Sequence, residues 1–354
     1  MNLSRSTGNR IIAGTAIALF LALAALSFFA TERMAETQGP SRIGVAPDRS
    51  LWIVSHANLH QLLPDGTRIA RVPLAALGLG PVLSDVRPLR DGRLMLAQAA
   101  PSGLYRCDPV HARCERLAAD VPTHHTLMVD VNEARARVVV SDNAGHRLLL
   151  LDLATGRLLD ATPVERFLHP NTVAFDGADA VIVSDTDRGR IARVEIGGDR
   201  FGRTVESHSV APHGLRPGRH WVMDFTRLPS GQWWVLVAAE RMKDADLVVH
   251  DPLGNAVRRI DLGERSDPTK VVSFAHGVLV AEPIRGDLLH LRADGTVLGG
   301  FGDDVFRVEL AAARLQHGAW TLIRDFGPAG MAVVPLAAIV ILRRRGLGVR
   351  TPPA

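Results

Sequence analysis

The stretch Val138-Val-Val-Ser-Asp142 is followed 43 residues later by Val181-Ile-Val-Ser-Asp185, which repeats its pattern of β-branched residues ending in Ser-Asp. Similar strand-like runs lie at 51–56, 94–99, 233–239 and 278–282, and the spacing of 43 residues is interrupted once, by a step of 54. A fixed period of about 40–50 residues is typical of propellers and solenoids, whose units bury their apolar faces only against neighbours. Six units are visible.

Each unit contains four short runs separated by turn residues, as at Pro64-Asp-Gly66 and Asp176-Gly177. Within residues 41–302 no segment sustains the apolar periodicity of a helix, whereas alternating and short continuous apolar runs are common. The pattern predicts an all-β domain over 41–302, a six-bladed β-propeller of four-stranded blades.

The segment 169–191 begins with His169-Pro-Asn171 and ends with Val183-Ser-Asp-Thr186 and Arg190-Ile191. It resembles an NHL repeat, and equally a blade of the gluconolactonase and strictosidine-synthase-like propellers. The resemblance implies the propeller fold. It leaves the activity open, because that fold carries lactonases, synthases and pure binding modules.

An uncharged segment lies near each end of the chain, at 11–30 and 326–342. The first is long enough to span a bilayer, and a cleaved signal peptide is the alternative interpretation. The second is at the lower limit for a span and contains two prolines. The expected organisation is a cytoplasmic segment 1–10, a transmembrane helix 11–30, a linker 31–40, the propeller, a juxtamembrane segment 303–325, a transmembrane helix 326–342 and a basic cytoplasmic tail 343–354.

Arginines flank both apolar segments on their outer sides, which predicts that both termini are cytoplasmic and that the propeller lies outside. Six of the 41 basic residues lie in these flanks, so the other 35 are balanced by 37 acidic residues. The high pI therefore reflects topology, and no basic stripe with interleaved aromatics suggests a nucleic-acid partner. We expect a bacterial inner-membrane protein with a periplasmic propeller. A C-terminal sorting signal is a further interpretation of the last segment.

The two cysteines, Cys107 and Cys114, flank an Asp108-Pro109 turn. They should face each other across a hairpin of blade 2 and form a disulfide in an oxidising compartment. Two unpaired thiols are the alternative, whereas a metal pair would need two further ligands at zinc-like spacing.

Propeller sites commonly lie where the second strands end and successive blades are joined. The 43-residue register places His56, Asp142, Asp185 and Glu282 there. A functional interpretation is a ring of polar groups around the channel mouth; a structural one is that the aspartates accept backbone N–H bonds. Further histidines occupy the joining loops, where solvated loops and recognition sites are both plausible. These binding-face candidates are His124, His125, His169, His208 and His213.

The resemblance also implies a divalent cation, Ca²⁺, held in the channel by acidic and Asn side chains, as hard cations require. Asn171 matches that family's Asn ligand, and Asp224 matches a second one. A glutamate expected in the first strand of blade 1 is absent, and His124-His125 replaces an Asn in blade 3. We therefore expect no cofactor, with a divalent cation as the alternative.

Two functions remain open. The first is a membrane-anchored extracytoplasmic module that binds a protein partner in a membrane complex. The alternative is a metal-dependent hydrolase of lactones or esters, of the gluconolactonase and strictosidine-synthase-like kind. A bound divalent cation would distinguish them.

Overall fold

The computed structural model describes residues 5–210, 220–238, 245–263 and 266–346. This part of the chain contains six four-stranded antiparallel sheets, each made of four consecutive strands. The inner strands of neighbouring sheets contact each other around a closed ring, from the first sheet to the sixth and back to the first. The predicted six-bladed β-propeller is therefore confirmed.

In every blade the strands follow the chain outward from the central channel. Blade 1 comprises β1 Arg42–Val45, β2 Leu51–Ser55, β3 Asn58–Leu62 and β4 Arg68–Pro73; blade 2 comprises β5 Leu83–Pro88, β6 Leu94–Gln98, β7 Gly103–Asp108 and β8 Arg113–Leu117; blade 3 comprises β9 Leu127–Asn132, β10 Arg137–Asp142, β11 Arg147–Asp152 and β12 Leu158–Ala161. Blade 4 comprises β13 Pro170–Phe175, β14 Ala180–Asp185, β15 Arg190–Glu195 and β16 Thr204–Ser209; blade 5 comprises β17 Trp221–Arg227, β18 Trp233–Ala238, β19 Asp246–His250 and β20 Ala256–Ile260; blade 6 comprises β21 Lys270–Phe274, β22 Gly277–Glu282, β23 Asp287–Arg292 and β24 Val297–Gly300. Short 3₁₀ turns lie in the loops at Leu74–Leu77, Glu133–Arg135, Thr186–Arg188 and Gly198–Arg200.

The apolar core is built between blades rather than within them. The second strands are the runs that carry the repeat, and β2, β6, β14 and β22 are buried at every residue. One core cluster joins Met95 and Leu104 of blade 2 to Val138 and Leu149 of blade 3. Each blade therefore depends on its neighbours for burial, which is why a short repeat is stable only as part of the ring.

The ring closes between blades 6 and 1 without a shared strand. Instead, Asp303 accepts hydrogen bonds from the backbone N–H of Arg68 in blade 1, at 2.8 Å, and of Phe306, at 2.7 Å. The second bond caps the helix that follows, because the first N–H groups of a helix lack partners within it. Phe306 and Leu310 then pack into the core cluster shared by blades 1 and 6.

Two long helices occupy the chain ends, α1 at Arg5–Glu36 and α2 at Asp304–Gly346. The chain divides into two compact units, Gln38–Arg314 and the remaining helical parts. The segment expected to be juxtamembrane therefore begins as part of the propeller unit, and the backbone of α2 stays helical past Pro335. Both helices are long and apolar enough to span a membrane, by length and composition alone. A signal sequence would satisfy the same criterion for α1.

The helical unit is held by contacts between α1 and α2. The Phe29 and Trp320 rings meet edge to face with centroids 5.6 Å apart, and the Thr37 hydroxyl lies 3.4 Å from Nδ1 of His317.

In blade 2, Cys107 and Cys114 lie opposite each other on β7 and β8 and are joined by a disulfide. The predicted pairing is confirmed.

Candidate functional site

The upper face of the propeller is the side that carries the loops after the second strands and the loops that join successive blades. A polar side chain at the end of a second strand accepts a backbone N–H bond from the preceding joining loop in four blades. The bonds are Gln98 to Gly80 N at 2.7 Å, Asp142 to His124 N at 3.1 Å, Asp185 to Leu168 N at 2.7 Å and Glu282 to Asp267 N at 3.1 Å. All four side chains are buried. Each fastens a joining loop to its blade.

The register in blade 2 differs by one residue from the repeat spacing. Gln98 pairs with the first residue of the inner strand, Leu83, just as Asp142 pairs with Leu127. Spacing alone assigns this position to Ala99, which lies just beyond the strand. In blade 1 the strand ends at Ser55, so His56 lies in the following turn, with Nδ1 2.7 Å from the Ser55 hydroxyl.

An ion cluster fills the upper part of the channel. The ammonium group of Lys270 lies 3.4 Å from Oδ1 of Asp224 and 3.7 Å from Oδ1 of Asp85. All three residues are buried, with at most 1% of their surface exposed. The hydroxyl of Thr172 donates to Asp224 as well. These groups come from blades 2, 4, 5 and 6 and meet only because the inner strands converge.

Inner-strand aspartates also join neighbouring blades, at three of the six junctions. Asp85 accepts the N–H of Val129 at 3.0 Å, Asp130 that of Phe175 at 2.7 Å, and Asp224 that of Val271 at 2.6 Å. In each case the acceptor lies one blade before the donor. Each of these bonds is a charge-assisted contact between neighbouring blades.

Arginines complete the charge balance of the channel. Arg87 Nε lies 3.7 Å from both Asp85 and Asp130, and Arg42 donates to backbone carbonyls. Burial alone would raise the pKa of Asp85, but Lys270, Arg87 and the Val129 amide together bring it below its ordinary value. Three cations therefore face three carboxylates, Asp85, Asp130 and Asp224.

The two residues proposed as cation ligands, Asn171 and Asp224, have different hydrogen-bond partners. The amide of Asn171 is directed to blade 3, where its Oδ1 lies 3.4 Å from Nδ2 of Asn143. Its neighbour Thr172 makes the contact with Asp224 instead. Among the described residues, no group of three His, Cys, Asp or Glu side chains is arranged to hold a metal ion.

A pair of histidines lies on the upper face between blades 3 and 4. The rings of His146 and His169 are edge to face with centroids 4.3 Å apart, and Nδ1 of His169 lies 3.0 Å from a carboxylate oxygen of Asp187. Nδ1 of His146 accepts the backbone N–H of His169 at 3.1 Å. Both histidines have positive φ, 54° and 50°, a conformation uncommon for residues other than glycine.

In the neutral form of each ring, these bonds fix the tautomer. His169 must carry its proton on Nδ1 to donate to Asp187, which leaves Nε2 as an acceptor. His146 must carry its proton on Nε2, because its Nδ1 accepts. An acceptor nitrogen and a donor nitrogen are thus held on adjacent rings, and His169 is 46% exposed at its side chain.

The other histidines that the sequence predicts for the binding face do not form a cluster with this pair. His124 is exposed, with Nδ1 3.2 Å from Asp142, and His125 is exposed beside it. His208 lies on the outermost strand of blade 4, with Nε2 2.7 Å from Glu206, away from the channel. His213 lies outside the described residues.

Burial raises the pKa values of two acids, Glu282 of blade 6 and Asp267 of the loop before it. Glu282 accepts from the Ser266 hydroxyl and the Asp267 N–H, but desolvation outweighs these bonds and raises the pKa of Glu282. Burial also raises the pKa of Asp267.

Sequence reasoning missed Asp85, Lys270 and His146. Two features of the sequence could have indicated Asp85 and Lys270. Asp85 and Arg87 alternate within an inner strand whose other residues are mainly apolar, and the chain has only two lysines among its 41 basic residues.

No family model matches the sequence, and no curated protein matches it. Solved structures with a similar fold include a virginiamycin B lyase from Staphylococcus aureus, with 12% identity and a TM-score of 0.52 over 77% of this chain and 87% of that one. The periplasmic gluconolactonase of Pseudomonas aeruginosa gives 16% and 0.50 over 75% and 87%. Hydrazine synthase of Kuenenia stuttgartiensis gives 12% and 0.51 over 81% and 83%. At these identities the likeness establishes the fold alone.

Proposed function

We propose that this chain is a membrane-anchored binding or assembly module, which presents an extracytoplasmic propeller to a protein partner in a membrane complex. The observation that carries the proposal is the position of Lys270. Its ammonium lies between two inner-strand carboxylates, Asp85 and Asp224, in the part of the channel where the related lactonases are expected to hold a cation.

The charges of the channel support this assignment. A divalent cation would need oxygen ligands whose negative charge is not already balanced. Here both carboxylates face Lys270 and also accept backbone N–H bonds. A second cation would therefore be repelled by the ammonium, and recognition is left to the loops of the upper face.

The terminal helices support the anchored topology. Both are apolar enough to span a membrane, and each has arginines on its outer flank. Because cationic flanks remain in the cytoplasm, this arrangement supports a propeller on the periplasmic side of a bacterial inner membrane.

Metal analysis of the full-length protein tests the proposal. After dialysis, the parent protein should retain no stoichiometric divalent cation. The Lys270→Gln variant should acquire measurable calcium affinity, because the three channel carboxylates are then faced by only two cations, Arg42 and Arg87. Asn171→Ala should bind like the parent, since its amide faces Asn143. Stoichiometric calcium in the parent, lost in Asn171→Ala, would overturn the proposal.

A hydrolase of lactones or esters is the second candidate, and the pair His146 and His169 favours it. Nε2 of His169 could accept a proton from an attacking water, while Asp187 stabilises the charged ring and His146 donates to the developing oxyanion. Phenyl acetate and a γ-lactone are suitable substrates. Turnover by the parent that disappears in His169→Gln would establish this function over the first.

The chain provides a matched control for that experiment. His111 makes the same Nδ1 contact with a carboxylate, at 2.7 Å from Asp108, but within the described part of the chain no second imidazole is paired with it. His111→Gln should leave any turnover unchanged. Equal loss in both variants would show that the activity does not arise at the histidine pair.

A further inference from the structure

A cavity of about 510 Å³ lies at the edge of blade 4, outside the channel. Its walls are formed by residues 163–166 of the loop that joins blades 3 and 4, by Arg188 and Arg190, and by Thr204 of the outer strand. With Arg166, three guanidinium groups face one cavity. Pro163 and Val164 supply an apolar wall.

Arg188 and Arg190 are held in place by polar partners. Arg188 donates through Nη1 to the carbonyl of Arg166 at 2.6 Å and to Asp185 at 3.1 Å, and through Nη2 to the carbonyl of Glu165 at 3.2 Å. Arg190 Nη2 lies 2.8 Å from Asp185. The side chains are therefore positioned before a ligand arrives, which reduces the entropy lost on binding.

Arg166 retains free donor groups. Its Nε donates to the carbonyl of Gly202 at 2.9 Å, and among the described residues its two terminal nitrogens have no hydrogen-bond partner. The groups around the cavity carry a net positive charge, because three guanidinium groups face only the carboxylates of Glu165 and Asp185. Asp185 is fully buried behind the arginines.

Blade 3 shows which of these groups the fold itself requires. Asp142 and Arg147 occupy the positions of Asp185 and Arg190 in the strand register. In blade 3 a single arginine is enough to connect the strand to the joining loop, since Arg147 Nη2 donates to the carbonyl of Pro122 in that loop at 2.6 Å. The positions 43 residues before Arg166 and Arg188 are Thr123 and Gly145. The two additional arginines of blade 4 are thus not part of the repeat.

We propose that this cavity binds an oxyanion, the phosphate or carboxylate group of a small organic ligand. Guanidinium groups recognise such oxygens through paired, charge-assisted hydrogen bonds, and the cavity is large enough for an organic body beside the apolar wall. The proposal goes beyond the protein-binding role proposed above, because the ligand here is a small organic anion.

Calorimetric titration of the full chain in a neutral detergent tests the proposal, with phenyl phosphate and phenylacetate as probes. We expect saturable binding of one or both probes. Arg166→Gln should weaken it about tenfold, as expected when one charge-assisted bidentate contact is removed. Arg166→Lys should recover part of the loss, because the charge remains while the planar fork is lost. Arg147→Gln, which removes an arginine of blade 3 outside the cavity, should leave the affinity unchanged.

Chemical modification provides a second measurement that does not depend on how well a variant folds. Phenylglyoxal should modify Arg166 in the parent, and phenyl phosphate should protect it while leaving Arg147 unprotected. Absence of binding for both probes, or equal weakening by Arg166→Gln and Arg147→Gln, would overturn the proposal. Either result would leave the calcium measurements on Lys270→Gln unaffected, so the two proposals fail separately.

Discussion

The ammonium group of Lys270 lies 3.4 Å from the carboxylate of Asp224, although the two residues belong to different blades and both are buried. Removing charges from water is costly, and the interaction of the pair is favourable only when the remaining polar atoms are satisfied. Here Asp224 also accepts from Thr172 and from the Val271 N–H. The cluster therefore joins blades 4, 5 and 6 at the centre of the ring.

Removing one partner of this cluster should be strongly destabilising. Lys270→Met leaves the buried Asp224 without its ion-pair partner and Asp85 with Arg87 alone, so we expect a loss of about 3–5 kcal/mol in the free energy of unfolding. Denaturation of the full chain in detergent measures it. Lys270→Met with Asp224→Asn should lose less than the sum of the two single variants.

A surface pair provides the control. Arg93 and Asp91 form an exposed ion pair, so Arg93→Met should cost less than about 1 kcal/mol. If Lys270→Met cost no more than Arg93→Met, the channel cluster would not stabilise the ring.

His60 should make the stability depend on pH. This side chain is fully buried against Phe306, and its pKa is lowered to about 4, mainly because burial disfavours the charged ring, although Glu309 opposes the shift. Its nitrogens form no hydrogen bond of good geometry with the described residues, and the Ser55 carbonyl favours the charged form only weakly. Arg68 and Arg71 also disfavour the charge.

The folded-state pKa lies below that of the unfolded chain, so the unfolded state binds the proton first as the pH falls. The contribution of His60 to the free energy of unfolding is fully present above about pH 6.5. It is lost as the pH falls toward 4, by roughly 3 kcal/mol in total. In His60→Leu, the decline between pH 6.5 and pH 5 should be smaller by about 2 kcal/mol. His111→Leu, at an exposed position, should follow the parent curve.

The disulfide should stabilise the blade 2 hairpin. On the loop-entropy model, replacing Cys107 and Cys114 by serine should lower the free energy of unfolding by roughly 2–3 kcal/mol. Peptide mapping without reductant should show the two cysteines joined. Quantitative alkylation of both thiols in protein extracted without reductant would contradict the pairing in the cell.

Reporter fusions test the topology. An enzyme active only outside the cytoplasm should be silent after Ala354 and active when inserted near Asp199, in a loop of blade 4. The expectation follows from the arginines that flank both apolar segments. Activity of the C-terminal fusion would contradict the two-span arrangement.

The repeat gave the positions of the second strands to within a residue, because an apolar run between turns is a local property. The spacing assigned the last position of the blade 2 strand to Ala99, whereas the strand ends one residue earlier, at Gln98. Hydrogen-bond register with the inner strand decides which side chain reaches the joining loop. The contacts of the carried-over ligand Asn171 also depend on strand geometry, because the adjacent Thr172 is the residue that donates to Asp224.

The sequence by itself determined the number of blades, the four-stranded unit, the facing cysteines and two apolar terminal segments. These features depend on residues close together in the chain, or on a pattern that repeats. Only the tertiary structure decided that Asp85, Asp224 and Lys270 meet in the channel, that His146 is paired with His169, and that Arg166, Arg188 and Arg190 face one cavity. Such contacts join side chains from different strands, loops or blades, and their distances follow from how the strands converge and not from their spacing in the chain.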